Sequence, residues 1–293
     1  MFSIIIASKD RAEKLPRCLE SINQSDMIKT GSELIIVDNG SKDNSLEIIK
    51  KFQADSPFDV KIFIEKKKGN SFCCNKGIKN SKGSIIIFTD DDCYFSKNYL
   101  QIAQNIFKNE AIAFASGRVL LYDKNDCSIM TCTNTKPKII DVRSLAGLPK
   151  IIGANMIIRK SVIKNTGPFD IMFGPGSEFA GNDIDYISRV LIKGYKGVYD
   201  PTLVVYHHHG RKETKVILNQ ERYYAKGIGA QYCKRILNRD ASALNALLFA
   251  ISKANNFSLF KLSQEEYKEE MLQGARQYLK LFLKSQKNIN QET

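Results

Sequence analysis

The chain of 293 residues is 43% hydrophobic, which is enough to bury a sizeable core and excludes a disordered chain. Its net charge of +13 favours anionic partners such as nucleotides, nucleic acid or acidic lipid. The basic residues are spread widely, with a short run at Lys66-Lys67-Lys68 and a basic tail region, but no aromatic-interleaved stripe, so nucleic acid is not the expected ligand. Seven cysteines without a C-x-x-C spacing argue against a disulfide framework and for a reducing, cytoplasmic setting.

In chain order, Phe2–Ala7 reads as a strand that follows Met1 at once, leaving no charged leader for a secretory signal. Amphipathic and apolar runs then alternate. Helices are expected at Lys14–Ile22, Ser45–Phe52, Cys73–Lys79 and Asn98–Phe107, between strands at Leu34–Val37, Val60–Glu65, Ser84–Thr89 and Ala111–Leu121. This alternation predicts an α/β fold, a mostly parallel sheet flanked by helices. From Tyr122 to Pro149 periodicity fades, and a polar loop near the site is expected. Ile151–Ile158 reads as a strand, Asp183–Ile192 as a helix, and Gly197–Tyr206 as a strand ending at three histidines. Beyond Arg211 only helices are expected, giving a domain over 1–210, split at 121/122, and a helical region over 211–293. Ser263-Gln264-Glu265-Glu266 matches a capping box that starts a helix running towards Ser285. The apolar run Ala246–Ile251 is too short to span a bilayer, so the chain is expected to be soluble or peripheral.

Asp90-Asp91-Asp92 is the feature that packing does not explain. Three adjacent acids at the end of a buried strand repel one another, which raises at least one pKa or demands a cation, and hard divalent metals bind such oxygen clusters. At the carboxyl edge of an α/β sheet, the triplet would project into a ligand crevice. The first two strands empty at the same edge, into Ala7-Ser8-Lys9-Asp10-Arg11 and Asp38-Asn39-Gly40-Ser41, where carboxylate and amide groups suit a nucleobase and ribose. Each loop also has a plainer reading: Asp10 to Glu13 fits a capping box, and Asp38 to Ser41 is ordinary turn chemistry.

Gly69 to Gly77, with Asn75 and Lys76, leads into a helix whose N-terminus can attract phosphate oxygens, but it carries neither G-x-G-x-x-G nor the P-loop pattern. Asp183 sits in the first turn of its helix, off the apolar face of Ile184, Ile187 and Leu191, as a dipole-compensating residue or as a general base. His207-His208-His209 holds every histidine of the chain, and one imidazole beside the carboxylates would complete a mixed N/O site for a Mn²⁺-like ion, unless the three form an exposed turn.

In this order these segments resemble the family 2 glycosyltransferases, inverting enzymes of the GT-A fold that use nucleotide-diphosphate sugars. The likeness spans about residues 2–210 and includes Val37-Asp38-Asn39-Gly40-Ser41, Asp90-Asp91-Asp92, Gly153-Ala154-Asn155-Met156, Gly167-Pro168-Phe169-Asp170, Gly181-Asn182-Asp183-Ile184-Asp185 and Gly194 to Pro201. The resemblance implies a donor site over Ala7, Ser8, Asp10, Arg11, Asp38, Asn39, Asn75, Lys76, Asp90 and Asp91 for a UDP-, GDP- or dTDP-sugar. It implies Mn²⁺ or Mg²⁺ on Asp90, Asp92 and His207, with His209 an alternative ligand; Asp183 as the base; and Gly153, Asn155 and Asn182 on the acceptor side. The acceptor would be a glycan or lipid-linked glycan, with peripheral contact at the inner membrane face through the basic C-terminal helices. The chain departs from the family where Asn182 replaces a common Glu and Cys74 a common Arg. A non-catalytic nucleotide-sugar-binding protein and a sugar nucleotidyltransferase are the alternatives.

Overall fold

A computed structural model describes residues 1–142, 151–240, 242–244, 247–248 and 262–292. Three short apolar runs build the centre: β1 (Phe2–Ser8), β2 (Glu33–Asp38) and β4 (Ile85–Asp90) are buried along nearly their whole length, as strands covered on both faces must be. β1 lies between the other two in parallel register, Ser8 opposite Asp38 and Ala7 opposite Asp90. β3 (Val60–Ile64) extends the sheet beyond β2. The chain therefore runs outward from β1 to β3 on one side and restarts on the other with β4. That switch between β1 and β4 is where a parallel sheet opens a crevice at its carboxyl edge.

Beyond β4 the order continues through β8 (Met156–Arg159), β6 (Ile112–Leu121), β9 (Lys196–His207) and β5 (Cys93–Phe95), with β7 (Lys138–Ile140) also on β9. The parallel pairings β1–β2, β1–β4, β2–β3 and β6–β9 carry the long registers, while β8, β5 and β7 join through short antiparallel ones. Helices α1 (Leu15–Asn23), α3 (Ser45–Asp55), α4 (Asn70–Asn80) and α5 (Tyr99–Ile106) cover the sheet, and α2 (Met27–Thr30) is a single turn. The sheet-and-helix core is one continuous apolar cluster running from Phe2 to Val205.

Three expectations are corrected. The expected strand at Ile151–Ile158 is a 3₁₀ turn at Gly153–Asn155 before β8 begins at Met156, because Asn155 turns into the core there. The expected loop from Tyr122 to Pro149 contains β7, whose three residues are too few to show alternation; positions 143–149 lie outside the described residues. The expected end of the last strand at Tyr206 moves to His207, which pairs with Cys93 and Leu121 and so belongs to the sheet rather than to a turn.

After α6 (Lys160–Thr166) and α7 (Asn182–Ile192), the chain ends in two long helices, α8 (Thr214–Leu237) and α9 (Gln264–Glu292). The capping box forms as read: Ser263 Oγ accepts the Glu266 amide at 3.2 Å and Glu266 Oε2 accepts the Ser263 amide at 2.9 Å. The two helices meet backbone to backbone at glycines, since a Cβ on Gly229 would strike the Met271 carbonyl and one on Gly274 the Lys226 carbonyl. They also share an apolar cluster, Ala230 and Tyr278 with Phe173 and Phe179, so they pack on the 122–210 half. Among the described residues no helix is long and apolar enough to cross a membrane. The run at Ala246–Ile251 lies mostly outside those residues.

Candidate active site

A cleft of about 820 Å³ opens at the carboxyl edge of β1, β2 and β4. Its walls hold Ala7, Ser8, Arg11 and Asn39 from the first two loops, all three acids of the triplet, Gly153, Asn182, Asp183 and His207. Three loops far apart in sequence thus converge because parallel strands deliver their ends to one edge.

Asp91 and Asp92 are buried, and Arg11 spans them, with Nε 3.3 Å from Asp91 Oδ1 and Nη2 3.6 Å from Asp92 Oδ2. His207 Nε2 lies 3.2 Å from Asp92 Oδ1. Burial pushes the Asp90 carboxyl up to about 6, with the charge on Asp92 adding to it. Burial likewise lifts Asp91 to about 7 against the pull of Arg11. Asp92 goes the other way: burial raises it, but the His207 hydrogen bond and charge outweigh burial and hold it at about 2. His207 is raised in turn, burial being outweighed by Asp92 and Asp90. Ligand atoms of Asp90, Asp92, Cys93 and His207 all lie within 4.8 Å of one another.

A divalent cation suits this cluster on two observations. Burial disfavours the charged forms of Asp90 and Asp91, which a bound cation would offset, and two carboxylates plus imidazole form a donor set that Mn²⁺ accepts. His207 is the histidine placed for it. His209 donates Nε2–H to the Cys127 carbonyl at 2.9 Å and accepts the Arg211 amide on Nδ1 at 3.0 Å, and burial drives it down to about 4. His208 turns its Nδ1 to the Tyr94 hydroxyl at 3.0 Å. The Cys93 thiol, pushed well up by burial, stays protonated beside the acids.

Asp183 occupies the cleft at the start of α7. Its Oδ2 accepts the Gly153 amide at 2.7 Å and its Oδ1 the Ile184 amide at 2.8 Å. Burial raises its pKa, and those amides pull part of the way back. Asp183 and Asp90 line the same cleft.

Five residues expected at the site are not brought to the cleft wall. Asp10 accepts the Lys42 amide at 2.6 Å on the exposed side of its loop. Asp38 is spent on its own turn, accepting the Gly40 and Ser41 amides at 3.0 and 3.1 Å. Asn75 clasps the Phe169 backbone through both ends of its amide. Lys76 turns away to the Ile64 carbonyl, 2.6 Å distant. Asn155 is fully buried beneath the cleft, accepting from the Tyr99 hydroxyl at 2.6 Å and donating to the Arg118 and Leu203 carbonyls. Asn39 lines the cleft yet works as a stitch, donating to the Glu65 and Lys67 carbonyls and accepting the Gly69 amide.

The two departures noted in the sequence, Asn182 and Cys74, converge on one atom. Asn182 donates to Asn70 Oδ1 at 3.0 Å and the Cys74 thiol to the same oxygen at 3.2 Å, a neutral network at the starts of α4 and α7. Gly69 leads into it at φ 134°, a conformation only glycine holds without strain, and a Cβ there would meet Ser177 Oγ at 2.8 Å.

Sequence reasoning missed the far wall. Tyr223, Tyr224, Gln231, Tyr232 and Arg235 of α8 and Tyr267 of α9 line the cleft. Gln231 donates to the Gly181 carbonyl at 2.9 Å, and Lys234 bridges Asp185 and Asp170 at 2.5 and 2.7 Å, so α8 grips the first turns of α7. Nothing local announces these wall residues, since Tyr223, Tyr224 and Tyr232 do not recur at a regular helical spacing.

The family model for Glycosyl transferase family 2 matches residues 3–167. The chain belongs to glycosyltransferase family 2. That membership sets aside the nucleotidyltransferase reading. This family 2 chain is 28% identical over 200 residues to glycosyltransferase AglE of Haloferax volcanii, a match covering 66% of the chain and 62% of AglE. It thus spans under two thirds of that relative. It is 25% identical over 251 residues, 80% of its length and 75% of the other's, to a Methanococcus voltae dolichyl N-acetyl-alpha-D-glucosaminyl phosphate 3-beta-D-2,3-diacetamido-2,3-dideoxy-beta-D-glucuronosyltransferase. Its fold is that of GT-A enzymes such as the mannosyltransferase PcManGT of Pyrobaculum calidifontis, solved with GDP-Man and Mn²⁺: TM-score 0.64 at 14% identity, covering 95% of this chain and 86% of that one.

Proposed function

We propose that the protein is an inverting, metal-dependent transferase that moves a sugar from a nucleoside-diphosphate sugar to a hydroxyl of a glycan or lipid-linked glycan. One observation carries the reading: Asp183, a buried carboxylate of raised pKa, shares a cleft with the acidic cluster that would take the donor's diphosphate. A base and a leaving-group site in one cavity is what a single displacement needs.

Asp90, Asp92 and His207 would hold Mn²⁺ or Mg²⁺, which when bound supplies Lewis-acid charge for the departing diphosphate. Arg11 fixes Asp91 and Asp92, and Ala7, Ser8 and Asn39 offer the adjoining wall to the nucleoside. The acceptor oxygen attacks the anomeric carbon from the face opposite the diphosphate while its proton passes to an Asp183 oxygen. The bond to the diphosphate breaks with its electron pair, so the configuration inverts and no protein nucleophile is used. Asp183 can do this because each of its oxygens retains a lone pair beyond the one given to an amide.

A lipid-linked acceptor is supported by the dolichyl phosphate named for the M. voltae relative, and a UDP-, GDP- or dTDP-sugar by the GDP-Man complex of PcManGT. The seven unpaired cysteines support a reducing, cytoplasmic setting. Proton NMR of the product tests the mechanism: an α-linked donor must give a β-linked product from the first turnover, and an α-linked product refutes the single displacement.

A further inference from the structure

The outer face of α9 carries three large apolar side chains that stay partly exposed. Leu272, Leu279 and Leu283 are 41%, 39% and 52% exposed. Single exposed leucines are ordinary on protein surfaces, but spacings of seven and four put these three in one stripe about 17 Å long. The opposite face of the helix is fully used: Met271, Gly274 and Tyr278 are buried against α8 and the Phe173–Phe179 corner.

Charge on α9 is divided along its length. In its first half Glu266 and Glu270 pair with Arg222 and Lys226 of α8, while Glu265 and Glu269 stay exposed ahead of the stripe. In the second half Arg276, Lys280 and Lys284 are exposed and have no ion-pair partner among the described residues. On a helical wheel all three lie on one flank of the leucine stripe, within about one third of a turn. An apolar stripe edged by unpaired cations is the pattern of a helix that lies in a membrane interface, its leucines entering the acyl boundary and its cations meeting lipid phosphates.

We propose that Leu272, Leu279 and Leu283, with Arg276, Lys280 and Lys284, form a docking surface for anionic phospholipid bilayers. The surface stands apart from the transfer reaction, because neither donor nor acceptor is needed for it to act. The helix lies along the bilayer and does not enter as a span, consistent with the lack of a crossing helix among the described residues.

Flotation of the full chain with phosphatidylglycerol-containing vesicles, against pure phosphatidylcholine vesicles, tests this at low and high salt. Binding is expected to the anionic vesicles only and to weaken as salt rises. Each of R276Q, K280Q and K284Q should weaken it about fivefold. The pair L279E and L283E should abolish it while leaving the circular dichroism spectrum and turnover of a water-soluble acceptor unchanged. Absence of flotation with anionic vesicles at low salt overturns the proposal, as does flotation that survives L279E/L283E. A dimer in sedimentation velocity that L279E/L283E dissolves, without vesicle binding, assigns the stripe to a second copy and overturns it too.

Discussion

Replacing Asp183 with Asn separates catalysis from folding. The side chain keeps its shape, but an amide cannot take a proton from an attacking hydroxyl, and general-base assistance contributes about 10²–10⁴-fold. The turnover rate should therefore fall by about two to four decades, equivalent to about 3–5 kcal/mol of transition-state stabilisation. The structure bounds the accompanying cost in stability. Asp183 accepts two amides, at 2.7 and 2.8 Å, and Asn can accept only one while turning its NH₂ on the other. An unsatisfied buried donor costs about 1–3 kcal/mol. Against this, burial raises the Asp183 pKa, so its ionised form at neutral pH destabilises the fold, and the neutral Asn escapes that penalty. The two effects oppose, and the melting temperature should move little. The assay is release of nucleoside diphosphate with acceptor present, beside a thermal-shift titration with donor and Mn²⁺. A variant that turns over like wild type, or one that loses donor binding in step with turnover, refutes the assignment. The pH profile adds a sign: the base works ionised, so activity should be lost as pH falls through a pKa above the ordinary carboxylate range.

The acidic cluster makes its own pH prediction. With Asp90 and Asp91 raised to about 6 and about 7, the metal-free protein holds protons there near neutrality, so Mn²⁺ binding at about pH 6.5 should release them. Calorimetry in buffers of different ionisation enthalpy reads that release; an identical heat in each would contradict it. Asn155→Ala should cost about 3 kcal/mol or more in chemical denaturation, because it strands the Tyr99 hydroxyl and two carbonyls in the core. A loss below about 1 kcal/mol would show that water replaces the amide. Gln231→Leu removes the tie between α8 and the Gly181 carbonyl, so turnover should drop while donor affinity is kept, at a stability cost of about 0.5–1.5 kcal/mol. A fall in affinity with turnover unchanged would place Gln231 with the donor instead.

The first half of the molecule was legible because its signals are local. Runs such as Ser84–Thr89 announce buried parallel strands, and adjacent acids at Asp90 to Asp92 have no packing explanation, so fold class and an acidic cluster at the sheet edge follow from a handful of residues. Asp183 and His207 reach the cleft in a similarly legible way, each at the boundary of a recognisable element. Asn75, Lys76, Asp38 and Asn155 carry suitable functional groups, yet the sequence alone does not show which direction a side chain faces. Tertiary contacts gave Asn75, Lys76 and Asn155 to Phe169, Ile64 and Tyr99, while Asp38 closes its own local turn on Gly40.

What the residues determined unaided was therefore the α/β sheet, its carboxyl edge and the chemistry gathered there, since strand period, charge repulsion and turn type act over a few neighbours. Only the folded chain decided that α8 and α9 form the far wall and that α8 grips α7. Their hold depends on glycines that let Gly229 meet Met271 and Gly274 meet Lys226, contacts between segments some forty to fifty residues apart. No local pattern encodes such a distance, because the energy that fixes it exists only once both surfaces are present.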